Sequence, residues 1–345
     1  MTPLQQFLAN GNNLEEISFT DHDHRYFDPT KPDVKYTSAT TLIGQYEPEF
    51  NGDIWSMQTA LKEKGYKVRV DVPKNIIFVN GISHTLKDLK KNSLFKSWQD
   101  MVLAKWKVTN EEACERGNRT HDYLENTINQ SKGYTPNYGN DNNYITPSKI
   151  KGTIESTHDL DTTNLMEVFP AVYNRFKALI GAGCTIFAEK RMRLDLVQLA
   201  GMIDAPVFKG NSFSILDWKT NKDELKTKPG YYKKEWIGGH LIKGDTFVET
   251  NEVFKGSLSH VPYCKFNIYA LQLSLYAYML ECWGYTLVNN GLEIMHIRPN
   301  TQPKLLKIPY MINEIELMMK DRLRELNVDF GINVKYKSDF KRGII

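Results

Sequence analysis

The sequence predicts an α/β (α+β) fold in which a small mixed central sheet is flanked by helices. Apolar residues recur at helical spacing in three stretches, at about 94–129 with an interruption near 107–110, at 267–283 and at 311–327. Three runs with strand character lie between the first two, at 184–194, 199–208 and 212–220. Strands grouped between helices are typical of this fold class.

The chain has 345 residues, which is enough for one large domain with insertions or for two small domains. We expect an N-terminal region of strands and helices over 1–110 that packs on a core over 111–330, followed by a tail over 331–345. Two stretches, about 130–165 and 222–262, are poor in regular apolar patterns. They are expected to be loop insertions in the core.

The composition is that of a soluble globular chain, with 41% hydrophobic and 25% charged residues. A net charge of +3 permits a nucleic-acid partner without requiring one. The four cysteines are scattered and form no C-x-x-C pair, which argues against a zinc ribbon and for reduced thiols. The N-terminus has no signal-peptide pattern, and no apolar run reaches the roughly 18 residues of a membrane span, so we expect a cytoplasmic protein.

The stretch FSILDWKTNK, 213–222, places charged residues in an otherwise apolar strand. Asp217 and Lys219 are two residues apart, so they point to the same side of the strand. Asp204 precedes them on the neighbouring strand, and a short hairpin would bring the two carboxylates together. Like charges repel unless a cation lies between them, and oxygen-rich sites suit Mg²⁺ or Mn²⁺. The alternative is a surface hairpin with a cross-strand ion pair.

The segment ERGNRTHDYLEN, 115–126, is expected to be helical and to carry a histidine on a packed face. Gly117, His121 and Glu125 follow each other at intervals of four residues and therefore share one face. Glycine weakens a helix, so its presence indicates a close approach to a neighbouring element. The alternative for His121 is a hydrogen-bonded core histidine.

The segment NIYALQLSLYAYMLEC, 267–282, is expected to be a core helix with two polar side chains on its flank. Gln272 and Tyr276 lie four residues apart on that side. The alternative is a helix edge with incidental polar groups.

In chain order these segments contain four short motifs, R-G-x-x-x-H, G-x-I-D, D-x-K and Q-x-x-x-Y. They are Arg116-Gly117…His121, Gly201…Asp204, Asp217…Lys219 and Gln272…Tyr276. The series resembles the RecB-like branch of the PD-(D/E)XK nucleases over roughly 110–300, apart from 222–262. The resemblance implies a core of restriction-endonuclease type.

The resemblance also implies a metal centre. His121, Asp204 and Asp217 would be ligands of Mg²⁺ or Mn²⁺, together with the main-chain carbonyl of Trp218. Lys219 would be the catalytic lysine beside them.

Further residues would contact the nucleic acid or support the site. The resemblance implies that Gln272 and Tyr276 line the site and contact the nucleic acid or the water shell of the metal, and that Arg116 contacts the substrate. Glu189 corresponds to a glutamate on the preceding strand, and ion pairing with a basic neighbour is an equal interpretation of it. Glu125 would be a second accessory residue.

The N-terminal stretch YTSATTLI, 36–43, is similar to an S-x-T-T segment that opens several viral and mitochondrial members of this branch. Ser38, Thr40 and Thr41 would then lie at the start of a helix, a position that favours phosphate binding. An ordinary N-cap explains the same residues equally well.

The resemblance implies a metal-dependent deoxyribonuclease, and more narrowly an exonuclease, in DNA replication, recombination or repair. The alternatives are a catalytically inactive nucleic-acid-binding module on the same fold and a nuclease directed at RNA. Some members hold an iron–sulfur cluster, but here only Cys282 closely follows the Q-x-x-x-Y helix, so we expect no cluster. No Walker-type G-x-x-x-x-G-K-[ST] segment occurs, so no nucleotide cofactor is expected.

The segment between residues 222 and 243 favours DNA as the partner, single-stranded or with a free end. It holds six lysines against three acidic residues, with Tyr231, Tyr232 and Trp236 among them. Lysines attract phosphates, and aromatic rings stack on unpaired bases. The alternative is a solvated loop. The sequence does not identify protein partners in replication or recombination.

Overall fold

The computed structural model describes residues 1–10, 17–20, 23–72, 74–129, 153–154, 162–238, 240–299 and 301–330. Several small sheets are flanked by helices, so the mixed α/β class is confirmed. No helix within these ranges has both the length and the apolar composition needed to cross a membrane.

A six-stranded sheet lies at the centre of the fold. Its strands, in spatial order, are β16 (Lys304–Lys307), β15 (Thr286–His296), β12 (Ser212–Lys219), β11 (Ala205–Lys209), β8 (Thr185–Phe187) and β7 (Thr153–Ile154). β12 runs parallel to β15 and antiparallel to β11. A two-residue turn joins β11 to β12, and Gly210 in that turn has φ +58°. The predicted hairpin is therefore confirmed over 205–219.

The predicted strand over 199–208 is wrong in one respect, because it is broken at Asp204. The part before the break, β10 (Leu199–Ile203), leaves the central sheet. It pairs instead with β9 (Lys190–Leu194) and with β3 (Thr37–Ser38) in a separate three-stranded sheet.

The predicted strand over 184–194 breaks in the same way, at Glu189 between β8 and β9. Glu189 adopts a left-handed conformation with φ +45°, and its N–H donates to the Asp204 carbonyl at 2.9 Å. The two breaks face each other, so an antiparallel pair of strands changes sheet at one place.

Two hydrophobic clusters fill the space between the central sheet and its helices. One contains side chains of α8 (Lys265–Cys282), whose middle turns are buried all round, and of α9 (Ile312–Glu325). The other contains side chains of α7 (Pro170–Gly181) and of α5 (Ser93–Asn129). The predicted helices over 267–283 and 311–327 are confirmed within two residues at each end.

The alternation of side chains along β12 assigns the charged residues to one face. Leu216 and Trp218 belong to the cluster with α5 and α7, whereas Ile215 belongs to the cluster with α8. Asp217 and Lys219 share the parity of Ile215, so their side chains point towards α8.

The N-terminal region has a hydrophobic cluster of its own. It lies between α3 (Gly52–Glu63), the first turns of α5 and a three-stranded sheet. The strands of that sheet are β4 (Val68–Asp71), β5 (Ile76–Val79) and β6 (Ile82–Thr85). α5 continues without a break, so the predicted interruption near 107–110 is wrong. The Thr109 hydroxyl donates to the Lys105 carbonyl, so this polar residue is accommodated within the helix.

The stretch over 222–262, predicted as a loop insertion, contains a long antiparallel hairpin. Its strands are β13 (Gly230–Ile237) and β14 (His240–Glu249). Apolar and polar residues do not alternate regularly along these two strands. The sequence therefore lacks the pattern that identifies a half-buried strand. Most of the predicted insertion over 130–165 lies outside the described residues, as does the tail over 331–345; α6 (Thr162–Val168) overlaps the end of the insertion.

Short elements complete the fold. They are α1 (Pro3–Asn10), β1 (Ser18–Thr20), β2 (Arg25–Phe27), α2 (Ala39–Gly44) and α4 (Leu86–Lys91). β1 pairs with β2, and both α1 and α2 pack against α8. α1 and α2 therefore help to enclose α8, the helix towards which Asp217 and Lys219 of β12 point.

A buried ion pair ties α7 to the central sheet. Glu293 of β15 is 2% exposed and accepts hydrogen bonds from Nε and Nη2 of Arg175, at 2.8 Å each. Lys307 of β16 provides a second cationic partner for the same carboxylate.

We expect Arg175→Ala to lower the free energy of unfolding by about 2 kcal/mol, because the buried Glu293 carboxylate then keeps one cationic partner instead of two. Urea denaturation followed by circular dichroism measures the change. Arg119→Ala is the matched control, since this exposed helical arginine pairs with Glu115 at the surface and should behave like the wild type. Equal stability of the two variants would contradict the prediction.

Candidate active site

Asp204 and Asp217 lie next to each other at the open end of the β11–β12 hairpin. Ala205 is paired with Leu216, so the register places the two aspartates opposite each other. The Asp204 carboxylate accepts a hydrogen bond from the N–H of Trp218 at 3.0 Å, and the two carboxyl groups are within hydrogen-bonding reach. The hairpin therefore brings together the carboxyl groups that the sequence predicts to be neighbours.

Lys219 supplies the positive charge of this group. Its Nζ donates to Asp217 Oδ1 at 3.1 Å and lies 2.6 Å from Asp217 Oδ2. The ammonium also lies over the ring of Tyr269 of α8, 4.8 Å from the ring centroid. Asp217 is 1% exposed and the Lys219 side chain 13% exposed, so water screens their interaction weakly.

His121 reaches the same group from α5. Its Nδ1 lies 3.6 Å from Asp204 Oδ2, and its ring lies close to the main chain of Trp218. One turn earlier, Gly117 faces Thr220, but a Cβ there would meet Thr220 Oγ1 at an ordinary contact distance of 3.5 Å. The glycine therefore marks the approach of α5 to β12, and it is not required by lack of space.

Arg116 also contacts the segment that follows β12. Its Nη2 donates to the Thr220 carbonyl at 3.4 Å. Thr220 directly follows Lys219, so Arg116 lies beside the predicted catalytic group and fixes the chain at its exit.

Burial determines the protonation of the site. It raises the pKa of Asp217 to about 7, with the charge of Asp204 adding to the effect, and it raises the pKa of Asp204 as well. Burial opposes the charge of Lys219, but Asp217 and Asp204 outweigh it, so the pKa of Lys219 is raised. Burial, and then the charge of Lys219, lower the pKa of His121 to about 4, so its imidazole is neutral at pH 7.

The donor set suits a hard divalent cation. Within the described ranges, no three His, Cys, Asp or Glu side chains are grouped so as to hold a metal by themselves. Mg²⁺, however, is often bound by one or two carboxylates, with water and substrate phosphates completing its shell. Asp217 Oδ2 is buried and, despite its closeness to Lys219, accepts no hydrogen bond of ordinary geometry. Such an oxygen, with Asp204, the neutral His121 and the main chain of Trp218 beside it, fits an oxygen-seeking ion.

Gln272 and Tyr276 form a wall of the site from α8. Tyr276 is 5% exposed, and its Oη accepts a hydrogen bond from Gln272 Nε2 at 3.2 Å. Its ring lies against Gly201 of β10, where a Cβ would come within 2.6 Å of Tyr276 Cε1. Burial raises the pKa of Tyr276 well above its ordinary value, so the phenol remains protonated. The glycine of the G-x-I-D motif thus makes room for the tyrosine of the Q-x-x-x-Y motif.

Ser38, Thr40 and Thr41 form the ordinary N-cap that the sequence leaves open as an alternative. Ser38 Oγ accepts the N–H of Thr41 at 3.0 Å and bonds with the hydroxyls of Thr40 and Thr41. The helix that follows, α2, has six residues. β3 pairs with β10 at Ala200, so this cap lies beside the strand that leads to Asp204.

The two accessory glutamates are placed differently. Glu189 approaches the site through its main chain, by its hydrogen bond to the Asp204 carbonyl. Glu125 is buried in α5 one turn after His121. The roles predicted for the two carboxylates stay predictions.

Sequence reasoning missed two tyrosines. Tyr269 lies under the Lys219 ammonium, and its spacing of three residues from Gln272 on α8 could have indicated this. Tyr26 of β2 is buried beside Glu189 and Asp204; burial first, and then Glu189, raise the pKa of Tyr26. No local signal connects Tyr26 with residues so distant in the chain.

His296 was also missed. It is paired with Lys219 between β15 and β12, and its Nε2 lies 3.0 Å from the carbonyl of Asn221. It therefore holds the chain just beyond Lys219. A histidine inside the apolar stretch LEIMHIRP was the signal available in the sequence.

A groove opens beside the site, between α5 and the loop after β15. It consists of two cavities of about 440 and 550 Å³, which share the lining residues Arg116, Thr120, Val168 and Phe169. The larger cavity is also lined by Thr220 and Arg298, and the described residues around it include no acidic side chain. Its positive charge suits an anionic ligand.

Comparisons with models of known protein families, with curated proteins and with solved structures give no match for this chain. Its function must therefore be inferred from its own residues and their geometry.

We expect Gly201→Ala to lower the free energy of unfolding by about 1–3 kcal/mol, because the new methyl group would displace the buried Tyr276 ring. Thermal and urea denaturation measure the change. Gly181→Ala, where no atom lies within 4 Å of the added Cβ, is the control and should not be destabilised. A neutral Gly201→Ala would show that Tyr276 moves aside freely.

We expect Asp217→Asn to change how stability depends on pH in the presence of EDTA. The pKa of Asp217 is raised from 3.8 to about 7 on folding, so the folded state binds more protons than the unfolded state between these values. Titration of Asp217 therefore lowers the stability of the wild type, relative to Asp217→Asn, as the pH rises through this window. The loss should be on the order of 2 kcal/mol between about pH 5 and about pH 8, and Asp217→Asn should lack it.

Urea denaturation at several pH values tests this expectation. The exposed Asp245→Asn is the matched control and should run parallel to the wild type. Parallel curves for Asp217→Asn and the wild type would show that Asp217 carries no raised pKa.

Proposed function

We propose that the chain is a Mg²⁺- or Mn²⁺-dependent deoxyribonuclease with a core of PD-(D/E)XK type. The observation that carries the proposal is the convergence of Asp204, Asp217, Lys219 and His121 at the end of one hairpin. These four side chains lie close together although α5 is separated from the hairpin by many residues in the sequence. An incidental surface ion pair is therefore a poor explanation of the group.

The order of elements supports the same proposal. A helix with His121, a hairpin with Asp204, Asp217 and Lys219, and a helix with Gln272 and Tyr276 follow each other as the resemblance implies. The burial of the ammonium and both carboxyls is a further support, because perturbed pKa values in a polar cluster are typical of functional sites.

The residues divide the chemistry between them. Asp204, Asp217, His121 and the Trp218 carbonyl would hold the ion, which when bound supplies positive charge at a phosphate and lowers the pKa of a water molecule. Lys219 keeps its proton because its pKa is raised, so it acts electrostatically. Its ammonium stabilises the negative charge that develops on the phosphate oxygens during in-line attack.

The groove beside the site supports a phosphodiester chain as the substrate. Arg116 and Arg298 line the cavity that reaches Thr220. One arginine can donate two parallel hydrogen bonds to two oxygens of a phosphate. Exonuclease action on DNA is the form that the resemblance favours.

We expect the protein to degrade end-labelled DNA in Mg²⁺ or Mn²⁺ and to be inactive in EDTA. Asp217→Ala and Lys219→Ala should each reduce the rate by about 100-fold or more, because each removes a charge that acts on the reacting phosphate. Lys209→Ala is the matched control at the other end of the hairpin and should retain activity. A panel of 5′- and 3′-labelled single and double strands, followed by gel electrophoresis, measures rate and polarity.

Each competing explanation has its own result in this assay. Full activity of both Asp217→Ala and Lys219→Ala would contradict the proposed nuclease site. Binding of DNA without turnover at any divalent metal would favour an inactive module. Faster cleavage of matched RNA strands would identify an RNA-directed nuclease.

A further inference from the structure

A second group of like charges lies on the β13–β14 hairpin. Lys234 of β13 is paired directly with Lys243 of β14, and opposed like charges destabilise a hairpin. Two lysines of the hairpin therefore lie side by side on one face.

Carboxylates offset only part of this charge. Lys243 forms an ion pair with Asp223, but among the described residues no carboxylate forms an ion pair with Lys234. Lys234 therefore adds a positive charge that is not neutralised there. An anion that entered would remove the repulsion, because its oxygens would accept charge-assisted hydrogen bonds from the lysines.

Aromatic side chains accompany the lysines. Tyr232, Lys234 and Trp236 alternate along β13, so they share one face of the hairpin. The Lys243 ammonium lies 3.9 Å from the centroid of the Tyr232 ring, and Trp236 is 54% exposed. An exposed indole can stack on an unpaired base, whereas a duplex keeps the faces of its bases covered.

A cavity of about 470 Å³ lies between this face and the first turn of α8. Five lysines and three acidic residues line it, namely Lys226, Lys228, Lys234, Lys243 and Lys265, and Asp223, Glu224 and Glu252. The first turn of α8 has no side-chain cap, so its main-chain N–H groups add to the positive potential. The cavity is thus complementary in charge to a phosphodiester chain.

The cavity adjoins the candidate active site. α8 contributes Lys265 to the cavity and, one turn later, Tyr269 to the ammonium of Lys219. Tyr269 Oη donates to Asn221 Oδ1 at 2.6 Å, and Asp223, two residues further on, lines the cavity. A nucleic-acid strand that runs from the cavity along α8 would therefore reach Lys219.

We propose that the Lys234–Lys243 face of the hairpin binds the phosphates of a single-stranded nucleic acid, and that Trp236 stacks on one of its bases. The direction of the strand, with its end at Lys219, rests on the proposed nuclease function. The binding itself follows from the like charges, the exposed ring and the cavity.

Binding can be measured apart from cleavage. The full chain carrying Asp217→Asn is titrated in EDTA with a fluorescent oligothymidylate, at several KCl concentrations, and the anisotropy is recorded. Adding Lys234→Gln and Lys243→Gln together should reduce the slope of log K against log[KCl] by about 1.4, which corresponds to two phosphate contacts on a single strand.

Two further variants test position and stacking. Lys233→Gln removes the same charge from the adjacent residue, which does not line the cavity, and should leave binding unchanged. Trp236→Ala should weaken binding by roughly 5- to 100-fold, as expected for one lost base–aromatic contact. The melting temperature checks folding, and removal of opposed charges at Lys234 and Lys243 should not lower it.

The outcomes separate this inference from the nuclease proposal. An unchanged salt slope in the Lys234→Gln, Lys243→Gln variant would overturn the inference, whether or not the wild type cuts DNA. Equal loss of binding in Lys233→Gln would show general charge attraction and also overturn it. Tighter binding of a matched duplex would refute the single-strand assignment. A reduced slope in a protein that cuts no nucleic acid would uphold the strand site and reject the nuclease.

Discussion

The enclosure of two carboxyl groups and one ammonium at the end of β12 is the constraint on which the rest of the site depends. With both carboxylates charged, the group carries one more negative charge than Lys219 neutralises, in a place that water hardly reaches. Burial and repulsion raise the pKa values of Asp204 and Asp217 for this reason. Apolar side chains of similar size would often fill such a space at lower free energy. A bound cation, as the proposed function requires, would offset this surplus negative charge.

The neighbouring elements hold this unfavourable group in place mainly through the backbone. Because the strands change sheet at Asp204, this residue is not paired within a strand. The N–H of Trp218 donates to its carboxylate, and the N–H of Glu189 donates to its main-chain carbonyl. Trp218 lies between Asp217 and Lys219 in β12, and its side chain is buried against α7 on the opposite face of the sheet. Its packing therefore fixes the strand that carries both charged residues. Gly201 allows α8 to approach closely enough for Tyr276 to close the site from the other side.

Local patterns were sufficient to predict much of this arrangement. The parity of Asp217 and Lys219, the short turn before β12 and the apolar run of α8 each follow from a period of two or of about four residues. The break at Asp204 was not predictable, because a strand pattern does not say with which sheet the strand pairs. The β13–β14 hairpin was missed because it is solvated on both faces and shows no apolar alternation. His296 reaches the site through the pairing of β15 with β12, and Tyr26 through packing against Ala200 of β10. The local sequence of neither segment indicates such a distant partner.

The unbroken length of α5 has a mechanical consequence. At 1.5 Å per residue, its 37 residues form a rod of about 55 Å. One end is embedded in the small N-terminal cluster, and the other is clamped against the central sheet near His121. Because displacement grows with distance along a rigid rod, a rotation of α5 about its contact with the sheet would move the N-terminal cluster much further than His121. The distance between His121 and Asp204 would change least.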